Sequence, residues 1–256
     1  MNTKTLSLRA LSVIDQYKNF AVGKAVCNVP YFNNKTTRAR GALRAYVGKG
    51  SPKDIYEEVT ASLNKEHVAI DILTGESLKK YLTDKNIGID CSGLAYYILN
   101  AESEERGEGS LDKNIHFVNT HGLFGKVRSL LRPVENCNVS TLANDKNSSV
   151  VDLKDIQPGD MITMLSKTNE RDHILVVSAV DFQNSLPQKI YYAHANAYPE
   201  DGVYGTGLRQ GYIDIINLGS DKNLENTNIL ECAWSEINLH SKMSGYDVLI
   251  RRLNWL

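Results

Sequence analysis

No run of this chain approaches the roughly 20 apolar residues that a membrane-spanning helix requires. Charge of one sign is equally scarce. Lys and Arg number 29 against 30 Asp and Glu, so no global field draws the protein to nucleic acid or to an anionic membrane. Cysteine is sparse and scattered: Cys27, Cys91, Cys137 and Cys232 form no Cys-x-x-Cys pair, which argues against a disulfide framework and against a zinc site. The first residues lack the signal-peptide order of basic region, apolar core and small-residue cleavage site, so the expected location is the cytoplasm, with export by another route left open. Internal repeats are absent as well. What is present is ordinary: 42% hydrophobic and 23% charged residues over 256 positions, enough to bury a sizeable core in one domain.

The first third reads as helices. Leu6, Ala10, Val13, Ile14 and Tyr17 recur at helical spacing and predict an amphipathic helix ending near Gly23. Residues 36–47 form a helix-like stretch closed by Gly48 and Gly50. Ser51-Pro52 has the form of an N-cap and first helical position, opening a helix through about Leu63 with Ile55, Val59 and Leu63 inward. Residues 77–82 make a shorter helix. Between Tyr31 and Lys53 stand Lys35, Arg38, Arg40, Arg44 and Lys49 with no acidic residue. A solvated helix face accounts for them, and a patch for an anionic ligand is the alternative.

The chemistry begins at Gly88-Ile89-Asp90-Cys91-Ser92-Gly93-Leu94, where turn-type residues close an extended segment and an apolar, helix-like run follows. A thiol at a helix start sits at the positive end of the backbone dipole beside amides that lack intrahelical partners. Both favour the thiolate, which is the nucleophile. Downstream, Pro158-Gly159 marks a turn, and the apolar runs on either side of residues 166–171 predict a hairpin of buried strands with His173 at the mouth of the second. A third strand at 190–196 puts His194 and Asn196 on one face, where either could orient the His173 ring. Cysteine, then histidine, then a polar orienting group is the order a cysteine hydrolase needs. Core packing is the simpler reading for Cys27, Cys137 and Cys232, and His67, His116, His121 and His240 have no motif around them.

At these residues the chain resembles the NlpC family of papain-like cell-wall cysteine peptidases. The family's Asp-Cys-Ser-Gly motif falls on Asp90 to Gly93, its Pro-Gly-Asp turn on Pro158 to Asp160, its histidine strand on residues 173–177, and its later His-Ala step on His194-Ala195. The resemblance covers residues 85–200. It implies Cys91 as nucleophile, His173 as general base and acid, and His194 as the orienting residue. It further implies that Asp90, Ser92 and an upstream aromatic, here Tyr31, hold the substrate's amine; capping of the helix is the competing reading for Asp90 and Ser92. The implied substrate is a peptide or muropeptide, cut near a D-amino acid through an acyl-enzyme with no cofactor. A related amidase, deamidase or acyltransferase, and a non-catalytic binding protein, are the other classes.

The expected architecture is α+β and papain-like. A helical N-terminal extension over residues 1–84 packs on a catalytic domain over 85–256, whose insertion at about 101–150 could wall the cleft. Within that insertion, residues 102–109 are acidic and glycine-containing and predict an exposed loop, and 117–131 predict a helix stopped by Pro133. Strands are expected at 211–218, 229–237 and 246–253.

Overall fold

The computed structural model describes residues 2–33, 43–118, 127, 131–168, 171–216 and 228–256. Strand β1 (Asn2–Thr5) leads into helix α1 (Leu8–Lys18), which Ser7 caps by accepting from the Ala10 amide at 3.2 Å. A hairpin follows, β2 (Phe20–Val22) and β3 (Ala25–Cys27), turning at Gly23 with φ +60°. Most of the helix expected at 36–47 lies outside the described residues; its end is a 3₁₀ turn, Arg44–Val47. Helix α2 (Pro52–Lys65) opens as its sequence predicts. Ser51 accepts from the Asp54 amide while the Asp54 carboxylate accepts from the Ser51 amide, and Ile55, Val59 and Leu63 are fully buried. Helices α3 (Gly75–Asp84) and α4 (Cys91–Glu105) come next.

The remaining chain alternates short helices, α5 (Leu111–Asn114), α6 (Pro133–Asn136) and α7 (Val139–Leu142), with the strands of one sheet. These are β4 (Ser148–Val150), β5 (Met161–Ser166), β6 (His173–Gln183), β7 (Leu186–Asn196), β8 (Gly207–Asp214), β9 (Ala233–Trp234) and β10 (Tyr246–Leu253). Helix α8 (Ile237–Lys242) sits between the last two. All neighbours are antiparallel, in the order β4-β10-β5-β6-β7-β8-β9. The first half of β6 pairs with β5, from Met164↔His173 to Met161↔Val176. After a register shift between Val177 and Ala179 its second half pairs with β1, from Thr5↔Ala179 to Asn2↔Phe182. No described helix is long and apolar enough to cross a membrane.

Both sheet faces are covered, which is why β6 reads as a continuous apolar run. Ile174, Val176, Ala193 and Ala195 share one core with α1, α2 and α4, while Leu175, Val177, Tyr192, Ile213 and Trp234 share the other. The fold is therefore α+β, with α4 packed on the sheet and α1 packed on α4.

Three expectations need correction. Residues 1–84 are not a purely helical extension, because β1 joins the main sheet and β2–β3 form a hairpin whose Phe20, Val22 and Ala25 enter the common core. Residues 102–105 are not loop but the last turn of α4. Glu102 is buried there because its carboxylate accepts from the Ser7 amide at 2.8 Å and pairs with Arg106, satisfying a charge that would otherwise need water. The strand expected at 229–237 shrinks to the two residues of β9. The Ser235 hydroxyl takes the Tyr212 amide at 2.8 Å and ends the ladder, and the chain turns into α8. Of the helix expected at 117–131, residues 119–126 and 128–130 lie outside the described residues.

Candidate active site

Local backbone geometry brings Cys91 to the start of α4. The segment before it is extended, with Ile89 bridging both Tyr31 and Lys49 and the Asp90 amide donating to the Gly48 carbonyl at 2.8 Å. Asp90 then caps the helix, its Oδ1 accepting from the Gly93 amide at 2.6 Å. The backbone amides of Ser92 and Ile174 lie close enough to the Cys91 sulfur to work against the rise of its pKa. Ile174 follows His173 and lies before β6 begins to pair with β7 at Val176↔Ala193. The sulfur thus lies near the start of the histidine strand, on the face of Ile174 and Val176.

Its charge state differs from the expectation. A helix terminus contributes about 0.3–1 kcal/mol, well under one pKa unit. Burial can move a group by three to five units, and Cys91 is only 5% exposed. Burial pushes the thiol up to about 12, the nearby Asp90 carboxylate adds to the rise, and Lys49 with the two amides works against it. At neutral pH the Cys91 side chain is a thiol, not the thiolate that its helix position suggests.

The two histidines meet across neighbouring strands, although the β6–β7 register extended to His173 would put Asn196 directly opposite it. His173 Nε2 lies 2.7 Å from His194 Nδ1, the rings meeting edge to face with centroids 5.0 Å apart. His173 is 9% exposed and His194 1%. Burial holds the His173 pKa well below its usual value, and the charge that His194 gains on protonation and that of Lys242 act in the same direction. The histidine pair lies on the sheet face of Tyr192, whereas Cys91 belongs to the core of Ile174 and Val176, and no hydrogen bond joins sulfur and ring. Asn196, the other candidate orienting group, turns its side-chain oxygen to the Ala197 amide at 2.8 Å, and it is His194 that meets the His173 ring.

Beyond His194 stands a residue that sequence reading missed. His194 Nε2 lies 2.8 Å from Glu236 Oε2. Glu236 is placed by β9, which pairs with β8 through Ile213↔Trp234, and it stands at the N-terminal boundary of α8. Burial tends to raise its carboxyl pKa, but the hydrogen bond from His194, the charge that His194 gains on protonation and the charge of Arg209 outweigh that and lower it. Its only sequence signal is an acidic residue at a short helix start, too common to single out. Its partner lies far earlier in the chain.

Asp90 and Ser92 have partners inside the protein. Lys49 Nζ reaches Asp90 Oδ1 at 3.0 Å, Ser92 Oγ at 2.6 Å and the Cys137 carbonyl at 3.0 Å, and Ser92 Oγ donates to Asp90 Oδ1 at 3.1 Å. All three side chains are buried. The capping role is observed, and the ammonium that the carboxylate holds is that of Lys49. The described part of the insertion, through Val134, Cys137 and Val139, packs into the α4 core and presents the Cys137 carbonyl to Lys49. Tyr31 stands close enough to the sulfur for Cys91 to add, after burial, to the rise of its phenol pKa.

The Pro-Gly-Asp turn has a supporting part. Gly159 takes φ +95° and donates to Val177 O at 3.0 Å, while Asp160 binds the Gln157 amide and the Arg252 guanidinium, fixing where β5 starts against β6. His240 lies off the site, stacked on Trp234 and bonded to the Leu230 carbonyl. Among the described residues no group of three or more His, Cys, Asp or Glu is arranged to hold a metal ion.

Comparison with known proteins adds no identity: no family model matches the chain, and no curated protein matches it.

Proposed function

We propose that the chain is a cysteine hydrolase of papain-like, NlpC-type architecture that cleaves an amide bond through an acyl-enzyme. The observation that carries this reading is Cys91 at the start of α4, a helix packed on the strand that begins with the hydrogen-bonded His173–His194 pair. The thiol proton passes to His173 as the sulfur bonds to the substrate carbonyl carbon. The carbonyl oxygen takes the negative charge near the helix-start amides, including that of Cys91. As the tetrahedral species collapses, the C–N bond breaks and His173 returns the proton to the leaving amine. Water then repeats the sequence and releases the acid. A neutral thiol–imidazole pair suits this order, since the proton moves only as the carbonyl is attacked.

The substrate implied by the resemblance is a peptidoglycan stem peptide. A second reading, the same machinery acting on an amide or ester of a protein or lipid, is favoured by Lys49: a substrate amine would have to displace an internal ammonium to reach Asp90. The test is to incubate the protein with muropeptides and with small acyl esters, following product release and the intact mass of the enzyme. We expect an acyl adduct on Cys91 and turnover that Cys91→Ala abolishes without loss of the folded circular-dichroism spectrum. Turnover of esters alone favours the second reading. No turnover and no adduct with either class defeats the hydrolase proposal.

A further inference from the structure

We propose that Glu236 is a positioning residue that sets the direction of the hydrogen-bond chain through both histidines, leaving Nδ1 of His173 as its proton-accepting nitrogen. This rests on the hydrolase reading only for its consequence in turnover, not for the hydrogen-bond direction itself.

The argument follows from what each atom can do. A carboxylate only accepts, so His194 Nε2, 2.8 Å from Glu236 Oε2, carries the hydrogen. With His194 neutral in the resting protein, its other nitrogen has a lone pair, and His194 Nδ1 accepts. The hydrogen in the 2.7 Å contact must come from His173 Nε2. His173, held neutral by burial, is left with a bare Nδ1. One carboxylate thus fixes two tautomers in series.

The surroundings keep Glu236 in place and charged. Its Oε1 lies 3.8 Å from Arg209, which also pairs with Asp201, and 3.5 Å from the Tyr198 hydroxyl. Tyr192 packs edge to face on His194, with centroids 5.7 Å apart. Lys242, on the helix that Glu236 begins, lies over the Tyr198 ring. Arg209 and Lys242 are the cations facing this end of the chain, and Glu236 is the acceptor between them and the histidines.

The consequence for the reaction balances without another reactant. The Cys91 proton goes to His173 Nδ1 as the S–C bond forms, and the hydrogen on His173 Nε2 can shift to His194 Nδ1. The positive charge then rests on His194 against Glu236, and both shifts reverse when the leaving amine is protonated.

Nitrogen-15 NMR of the histidine rings tests the direction without any substrate. In the native chain we expect His173 and His194 each protonated on Nε2 with a bare Nδ1. Glu236→Leu should scramble or invert that pattern, and Glu236→Asp should keep it in part. In turnover, Glu236→Gln keeps an acceptor but loses the charge, and should lower kcat about 100-fold or more with KM little changed. A native His173 protonated on Nδ1, or tautomers and kcat indifferent to all three substitutions, overturns the proposal. If the native tautomers are as stated and no substrate turns over, the hydrogen-bond direction stands and the hydrolase reading alone falls.

Discussion

Lys49, Asp90 and Ser92 are buried together, and such a cluster is stable only while every member is present. Removing one partner of a buried ion pair leaves the other charge unsolvated, at a cost of about 3–5 kcal/mol. Lys49→Met should therefore lower unfolding free energy by about that amount in urea titration, and adding Asp90→Asn should recover part of it, since Asn still caps a helix. A loss below about 1 kcal/mol would show that the ammonium is not what neutralises Asp90. The motif Asp-Cys-Ser-Gly was legible in the chain. The partner of its carboxylate was not, because Lys49 looked like one of a run of solvated basic residues. Burial is a property of the neighbours that pack on a side chain, here α4 and the Cys137 carbonyl, and those neighbours are distant in sequence.

Among the elements, α2 was readable almost residue by residue, since Ser51, Pro52 and Asp54 are local signals with local consequences. The β5–β6 hairpin was readable for the same reason, with apolar runs flanking a turn. Strand β1 was not. Its four residues are exposed and polar, and they become a strand because β6, after its bulge, offers an unpaired edge. Leu6 links this strand to α1, is 2% exposed and donates its amide to Ser178 O at 2.9 Å. Leu6→Ala should cost about 2–5 kcal/mol, shifting the urea midpoint of the whole molecule with an unchanged slope. An unmoved midpoint, or a separate early transition, would mean that the N-terminal residues fold as an annex.

At the scale of the whole molecule, stability should depend on pH at both ends. His173 ionises near 6.5 when unfolded but is held neutral in the fold. Below that pH the unfolded chain binds a proton that the fold refuses, so stability falls as acid is added. The thiols of Cys27, Cys91 and Cys137 and the phenols of Tyr17, Tyr96 and Tyr192 are all raised, chiefly by burial. Unfolded thiols ionise from about pH 9 and phenols from about 10, so stability should fall steeply above 9, by about 1.4 kcal/mol per unit for each group. Lys79, lowered to about 8 by burial, opposes this with a single group. Thermal melts from pH 4 to 11 should show a plateau between these limbs, and His173→Gln should flatten the acid limb. An alkaline limb no steeper than one group's worth would contradict the burial of the thiols and phenols.

Sequence alone determined whatever depends on neighbours within a few residues: the capped helices, the Pro-Gly turn, the paired apolar strands, and a cysteine at a helix start followed by a histidine at a strand mouth. Tertiary structure decided the thiol's protonation, the contact of His173 with His194, the partner of Asp90, and the place of Glu236. Each of these depends on which distant side chain excludes water or supplies a hydrogen bond, and only folding in three dimensions brings those groups within reach.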